Sequence, residues 1–303
     1  MKLKEWGAFT LLGLVWGSSF LWIKIGVAEI GPFALGAFRL LFGAIGLLIV
    51  TRWQKQSFPH DRRTLLAFLF MGIFQTALPF VLIPWGETKI DSGLASILNG
   101  TMPLFTIVIA HFWLHDEKIS PARIVGLIVG FLGVVALVSR DLGPAGRLSG
   151  NLWGQIAVLA ASISYATAGT FSRRHLRGQP PLLQATMVVV IADALVWLAT
   201  PVFEPSIHVP RLPITWFALA WLGLLGSCLA YLLYFYLINA WGATRASVVT
   251  YVFPIVGLIL GVLFLGEAVD WRLIVGSLLV VGGIAIVNLK PRTQPAPATT
   301  AAD

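Results

Sequence analysis

Two apolar stretches of this chain each contain a proline four residues after a polar residue. Asn99 precedes Pro103, and about 150 residues later Thr250 precedes Pro254. A proline inside a helix lacks the backbone N–H, so it leaves the carbonyl four positions earlier without its donor. The freed carbonyls belong to Asn99 and Thr250. Two such breaks can line a cavity for a small molecule, and simple kinked packing against other helices is the alternative.

Aromatic and polar residues in four other apolar segments add to these two breaks. A large amphipathic ring near the middle of a segment, such as Trp16 or Tyr165, suits contact with an apolar or aromatic ligand. Small hydroxyl residues suit close helix packing equally well, and Gln75 suits either a zwitterionic ligand or a link between two helices. The expected cavity residues are Trp16, Ser19, Gln75, Pro79, Asn99, Pro103, Tyr165, Thr167, Tyr231, Tyr234, Thr250 and Pro254.

Charged residues inside apolar segments are few, and each needs an explanation because a charge in lipid is costly. Asp193 is the only carboxylate well inside a segment, so it is the candidate for proton exchange; a peripheral position is the alternative. We expect Arg39 to pair with a carbonyl or a phosphate headgroup, and Lys24 to extend to the membrane interface. Glu117 and Glu267 precede helix starts, where carboxylates bind free N–H groups, and both are expected to be structural.

The composition places the chain in a membrane. Of its 303 residues, 57% are hydrophobic and 11% are charged, whereas soluble domains carry roughly 25% charged residues. The net charge of +8 does not indicate nucleic acid, because the basic residues stand singly or in pairs at the ends of apolar segments. One cysteine cannot form a disulfide within the chain or a multi-cysteine metal site. The expected partners are a small molecule and lipid, with no metal or cofactor.

Proline, glycine and charged residues divide the chain into ten apolar segments, each close to the roughly 20 residues that cross a bilayer as a helix. We therefore predict an all-α membrane protein. Ser120 and Asp270 are predicted N-caps, and Pro121 suits a first helical turn. The stretch 291–303 is rich in Pro, Ala and Thr and is predicted to be disordered. The predicted spans are 6–27, 32–51, 64–85, 92–113, 121–139, 151–172, 180–200, 213–238, 244–265 and 271–289.

Landmarks of the first half of the chain recur in order in the second half. Gly72 corresponds to Gly223, and Gly133 corresponds to Gly283. The predicted domains are therefore two five-span repeats, over 1–140 and 150–290. With the N-terminus in the cytoplasm, fourteen basic residues face inward and six face outward, which predicts that both termini are cytoplasmic. Because five is odd, the repeats must be inverted about a pseudo-two-fold axis in the membrane plane, around a central cavity.

Glycines in the fifth and tenth spans predict a face for close helix contact. Such a face serves either packing between helices of one chain or a homodimer. These glycines are Gly126, Gly130, Gly133, Gly276, Gly282 and Gly283.

Short motifs near both ends of the chain are distinctive as a set. The first is Trp16-Gly17-Ser18-Ser19-Phe20 followed by Lys24, and the second is Leu265-Gly266-Glu267 followed by Asp270-Trp271. The first repeat varies the second motif as His115-Asp116-Glu117. Together they resemble the EamA branch of the drug/metabolite transporter superfamily over nearly the whole chain. The resemblance implies a ten-helix secondary transporter in the inner membrane, often an exporter of amino acids or related metabolites.

The expected function is secondary-active transport by alternating access. The expected cavity, lined by spans 1, 3, 4, 6, 8 and 9, is largely uncharged and aromatic, which favours neutral or zwitterionic metabolites over phosphorylated sugars. No nucleotide-binding Gly-Lys loop is present, so a gradient must supply the energy. The alternatives are a proton-coupled multidrug exporter that uses Asp193 and a membrane receptor or structural protein. An enzyme is not expected, because the spans hold no paired acids, Ser–His pair or His cluster.

Overall fold

The computed structural model describes residues 2–114, 119–139, 150–242 and 246–288, which form helices joined by short connections. Nine helices in these ranges are long and apolar enough to cross a membrane, and Gly150–His175 is the tenth span. The predicted all-α fold is confirmed; Glu117 and the stretch 291–303 lie outside the described residues. Spans 1 to 10 are Leu3–Val27, Pro32–Trp53, Arg62–Glu87, Ser92–Trp113, Pro121–Val138, Gly150–His175, Pro181–Phe203, Pro213–Trp241, Val248–Leu265 and Trp271–Asn288.

Span 6 is richer in polar residues than the other spans because its hydroxyl groups bind carbonyls inside the bundle. Ser162 Oγ donates to the carbonyl of Leu98 in span 4 at 3.2 Å, and Ser164 Oγ donates to the carbonyl of Phe74 in span 3 at 2.7 Å. A buried hydroxyl that has a partner avoids the penalty of an unmade hydrogen bond. These bonds therefore hold span 6 against spans 3 and 4.

Spans 5 and 10 pack against each other through glycine, in opposite directions. A Cβ atom at Gly126 would lie 2.7 Å from the carbonyl oxygen of Gly283, and one at Gly133 would lie 2.8 Å from that of Gly276. The repeat maps Gly126 onto Gly276 and Gly133 onto Gly283, so the two contacts are counterparts of each other. Such self-complementarity is the mark of a two-fold relation. The inverted repeat expected from the odd span number is present, and five glycines of the expected face pack within the chain. A Cβ atom at the sixth, Gly282, has no described neighbour within 4 Å, so its expected place in the contact is wrong. The expected homodimer stays a prediction.

Spans 3 and 8 each widen into a π-helical stretch at corresponding places, which the sequence did not reveal. These stretches are Gly72–Ala77 and Trp221–Leu229. Gly72 lies against Ile191 of span 7, and Gly223 lies against Phe42 of span 2. Each contact is the counterpart of the other when the two repeats are exchanged, because span 3 corresponds to span 8 and span 7 to span 2. π-helical turns shift the direction of the following side chains and are frequent at functional sites.

Spans 4 and 9 are both interrupted and cross each other near their breaks. Span 4 consists of Ser92–Asn99 and Met102–Trp113. In span 9, the 3₁₀ turn Ser247–Tyr251 leads into the α-helix Val252–Leu265. These interruptions stand where the sequence predicts broken helices.

Glycines allow the close crossing of spans 4 and 9. A Cβ atom at Gly100 would lie 2.8 Å from Cγ of Pro254, and Gly257 lies directly against the side chain of Ser96. Larger residues at either glycine would push the two broken spans apart. The break in each repeat is therefore held against the other repeat, as a non-helical backbone in a membrane requires.

Two glutamates of the second repeat cap helices of the first. Glu267 accepts hydrogen bonds from the backbone N–H groups of Ser92 and Gly93 at 2.7 and 2.9 Å, at the start of span 4. Glu204 accepts two such bonds, at 2.9 and 3.0 Å, at the start of span 2. Helix N-termini carry free donors and partial positive charge. Glu267 thus has a structural contact as expected, but with span 4, while Asp270 caps span 10 through the N–H of its third residue at 2.8 Å.

Lys24 turns into the protein at the same end of the bundle. Its Nζ donates to the carbonyls of Glu87 and Ile90 at 2.6 and 2.7 Å, where span 3 ends. The expected extension to the interface is wrong, because the free carbonyls at a helix C-terminus attract a cation. We call this end of the bundle, which holds Lys24, Glu204 and Glu267, the capped end.

Neighbouring glycines of span 10 provide a test of the glycine contact. A Cβ atom at Gly283 would collide with the backbone of Gly130, whereas one at Gly282 has nothing within 4 Å. We expect Gly283→Ala to destabilise the protein by about 1–3 kcal/mol through overpacking and Gly282→Ala to leave it as stable or more stable. Thermal unfolding of the detergent-solubilised protein measures both. Equal destabilisation by the two variants would contradict the contact.

Candidate functional site

A cavity of about 200 Å³ lies where the two repeats meet. Its residues come from the six spans expected from the sequence and from span 2. They present aromatic rings, hydroxyls, amides and one guanidinium, with no acidic side chain among them. The lining residues are Trp16, Ser19, Phe20, Ile23, Arg39, Gln75, Phe80, Ile83, Asn99, Met102, Tyr165, Gly226, Tyr231, Tyr234, Thr250 and Phe253.

The structure brings eight of the twelve expected residues together at this cavity. Thr167 is elsewhere, with its Oγ1 donating to the carbonyl of Ile163 in its own helix at 2.8 Å. Three prolines, Pro79, Pro103 and Pro254, do not line the cavity either, and they shape the backbone beside it. The eight that line it are Trp16, Ser19, Gln75, Asn99, Tyr165, Tyr231, Tyr234 and Thr250.

Trp16 forms one wall and is fixed by the π-helical stretch of span 8. Its Nε1 donates to the carbonyl of Gly226 at 3.0 Å. Its ring packs against Tyr234, with 5.4 Å between ring centroids, and edge-on against Phe253, at 5.5 Å. Because the indole N–H already has a partner, the ring is held as an apolar surface of the cavity.

Both broken spans reach the cavity at their breaks. Asn99 and Met102 come from span 4, while Thr250 and Phe253 come from span 9. The Oδ1 atom of Asn99 is buried and has no hydrogen-bond partner within the described ranges. A buried amide oxygen without a donor is costly, so it is a free acceptor for a bound molecule.

Arg39 is the one charged side chain among the lining residues. It is 6% exposed, and its Cζ lies 3.8 Å from the centroid of the Phe80 ring. In place of the carbonyl or headgroup expected from the sequence, the guanidinium has this cation–π contact. Its Nε has no hydrogen-bond partner in the described part of the chain.

Two membrane carboxylates lie outside the lining of the cavity. Asp193 in span 7 is partly buried, and its Oδ1 has no hydrogen-bond partner among the described residues. Glu87 is fully buried at the end of span 3, and within the described ranges neither of its carboxylate oxygens is hydrogen-bonded. The sequence did not single out Glu87 because it stands just beyond the predicted end of a span, where carboxylates are ordinarily hydrated.

A helical bundle of two inverted five-span repeats around a central cavity is an architecture of secondary transporters. The model of the EamA-like transporter family matches this chain twice, at residues 6–139 and 152–289. The chain belongs to the EamA-like transporter family and is a multi-pass membrane transporter.

Individual relatives are similar over nearly their whole length. The chain is 29% identical over 303 residues to the uncharacterized inner membrane transporter YedA of Escherichia coli, covering 95% of this chain and 94% of YedA. It is 26% identical over 279 residues to the uncharacterized transporter YoaV of Bacillus subtilis, and the match covers 89% of this chain and 92% of YoaV. A crystal structure of another protein aligns with this chain with a TM-score of 0.66 and 20% identity. The alignment covers 95% of this chain and 98% of the other, which shows a shared fold.

Several lining residues were not predicted, and some had a signal in the sequence. Phe80 follows Pro79 and Phe253 precedes Pro254, so in both cases an aromatic neighbour of the predicted proline reaches the cavity. Arg39 had a signal too, because a basic residue deep inside a span rarely faces lipid. Gly226 had none, since its position depends on the π-helical stretch.

A pair of substitutions in span 6 tests whether the cavity binds the solute. Tyr165→Phe removes a hydroxyl from the lining, and the loss of one hydrogen bond, about 0.5–1.5 kcal/mol, predicts a KM raised up to about tenfold. Thr167→Ala, two residues away and outside the lining, should leave KM unchanged. The measurement is the concentration dependence of flux in proteoliposomes. Equal KM values for Tyr165→Phe and the unmodified protein would remove Tyr165 from the site.

Proposed function

We propose that this transporter is secondary-active and exports amino acids or related small neutral or zwitterionic metabolites by alternating access. The observation that supports this function is the cavity of about 200 Å³ with aromatic walls, several neutral polar groups, one guanidinium and no acidic lining residue. Such a lining suits one small organic molecule that is partly apolar. It disfavours phosphorylated sugars, which need several cations. Export is the direction that the family resemblance implies.

Alternating access in this proposal moves the two repeats against each other. Glu267 and Glu204 tie the second repeat to the first at the capped end, so this end opens only when these charge-assisted hydrogen bonds separate. The interruptions of spans 4 and 9 lie beside the cavity and supply the places where the backbone can bend. The cavity then communicates with one side of the membrane at a time.

We place the protein in the inner membrane with both termini in the cytoplasm. The excess of basic residues in the predicted cytoplasmic connections supports this orientation, and the relative YedA is named an inner membrane transporter. In this orientation the capped end faces away from the cytoplasm.

A proton-coupled multidrug exporter is the second candidate, and one observation favours it. Asp193 lies in span 7 with an unpartnered Oδ1 within the described part of the chain, as expected for a carboxylate that exchanges protons. Its position outside the cavity lining weighs against direct competition between proton and substrate. Export of amino acids or related metabolites therefore stays the first proposal, and a proton-coupled multidrug exporter that uses Asp193 stays the second.

Flux measurements test the proposed function directly. The full chain, reconstituted in proteoliposomes, is supplied with panels of neutral amino acids, organic acids, sugar phosphates and cationic drugs. We expect counterflow of amino acids or related metabolites, and no flux of sugar phosphates. Empty liposomes are the control. The absence of flux for every class would favour the receptor or structural alternative.

Asp193→Asn separates the two candidate mechanisms. Because Asp193 does not line the cavity, we expect this variant to retain flux and the same dependence of flux on pH. The measurement is flux at several internal and external pH values, with a proton gradient imposed or collapsed. Loss of proton-driven flux in Asp193→Asn, with counterflow preserved, would establish the proton-coupled alternative.

A further inference from the structure

We propose that Arg39 binds the carboxylate of the transported solute, so that the solute is a small organic monocarboxylate with an aromatic or apolar body. This inference rests on the proposed function, because it names the substrate class and the anchoring residue of the same cavity. It also gives a role to a buried charge that makes no hydrogen bond or salt bridge within the described part of the chain.

The guanidinium of Arg39 lies inside the cavity as an unneutralised charge. It is 6% exposed, and no hydrogen bond or salt bridge engages it in the described part of the chain. The Phe80 ring beneath it supplies a weak attraction, which does not replace the hydration that a buried cation loses. A bound anion would supply that neutralisation.

Glu87 is the nearest candidate among the buried acids to neutralise Arg39, but in the described part of the chain neither of its carboxylate oxygens is hydrogen-bonded, to Arg39 or to any other group. It stands seven residues beyond Phe80 on span 3, about 10 Å along a helix at 1.5 Å per residue. It does not line the cavity, and its own charged neighbours include Lys24 at the capped end. The face of Arg39 toward the cavity is therefore left for a ligand.

The lining limits the anion to a single charge. A guanidinium presents a planar pair of donors that matches the two oxygens of a carboxylate. The described lining holds no second lysine or arginine, so a phosphate ester with two charges would bring an anionic charge that this lining does not neutralise. Tyr165 and Tyr231 line the same cavity as Arg39, and their hydroxyls are suited to complete the binding of a carboxylate.

The remaining lining defines the body of the solute. Trp16, Phe80 and Phe253 provide aromatic surfaces of the same cavity, which suit an apolar or aromatic group. No acidic side chain is available to an ammonium group; the unpartnered Oδ1 of Asn99 is a neutral acceptor for it. An amino group is therefore accommodated and not required, so amino acids and simple carboxylic acids both bind.

A matched ligand series tests the carboxylate requirement on the full chain in detergent. The ligands are phenylalanine, 3-phenylpropanoate, phenylalaninamide and 2-phenylethylamine, which share one ring and differ in charge. We expect the two carboxylates to bind, and the amide and the amine to bind at least about 10- to 100-fold more weakly, as the loss of a charge-assisted hydrogen bond predicts. Isothermal titration calorimetry measures each affinity. Benzylphosphonate, assayed at a pH above its second pKa so that it carries two charges, should not bind.

Variants then assign the effect to one residue. Arg39→Gln should remove the preference for carboxylates, and Arg39→Lys, which keeps the charge and loses the planar fork, should retain part of it. Arg62→Gln, at the exposed start of span 3, removes a positive charge outside the cavity and should change nothing. If Arg39→Gln does not fold, the ligand series on the unmodified protein and on Arg39→Lys still decides the matter.

The outcomes separate this inference from the proposed function. Flux of some solute with equal binding of the amide, amine and carboxylates would overturn the role of Arg39 and leave transport standing. Tighter binding of the phosphonate than of the carboxylates would overturn the assignment of the solute as a monocarboxylate. So would an anionic lipid that remains bound to Arg39 after purification. Absence of binding by every carboxylate would also overturn it. Absence of flux for every class, with carboxylate-selective binding, would overturn transport and leave the anion site.

Discussion

The close crossing of the two broken spans is the contact on which the rest of the structure depends. A helix interrupted inside a membrane exposes backbone groups that lipid cannot satisfy, so the interruption must lie against protein. Here each break lies against the other repeat, with Pro254 on Gly100 and Ser96 on Gly257. Because the repeats are related by a two-fold axis, a single crossing packs both breaks against protein. It also places Asn99 and Thr250 at one cavity between the repeats.

Charge is arranged differently at the two depths of the bundle. At the capped end, Glu204, Glu267 and Lys24 each bind backbone groups at helix ends, which carry partial charges of the opposite sign. In the cavity, Arg39 packs on the ring of Phe80 and makes no hydrogen bond or salt bridge within the described residues. The first group is neutralised by the fold and serves its stability, and the second is left available to a ligand. A buried charge that the fold does not neutralise is more informative about binding than one that it does.

Much of the site could be predicted because each prediction depended on local chemistry. Pro103 and Pro254 remove backbone donors wherever they stand, so the broken spans followed from the sequence. The glycine faces of spans 5 and 10 followed from spacing on a helix. Thr167 was misplaced because rotation of a helix about its axis decides whether a side chain reaches the cavity, and its hydroxyl is satisfied by Ile163. Lys24 was misplaced because the carbonyls that it binds belong to another span.

The sequence by itself determined the apolar spans, their number, the inverted relation between the repeats and the types of residue at the breaks. These follow from composition, periodicity and counting, which act along the chain. The tertiary structure decided which repeat each glutamate caps, where spans 3 and 8 widen, and that Arg39 faces a cavity. Those features depend on contacts between residues more than a hundred positions apart, such as Glu267 with Ser92 and Trp16 with Gly226. No local pattern encodes them, because each partner is available to its counterpart only after the repeats have packed together.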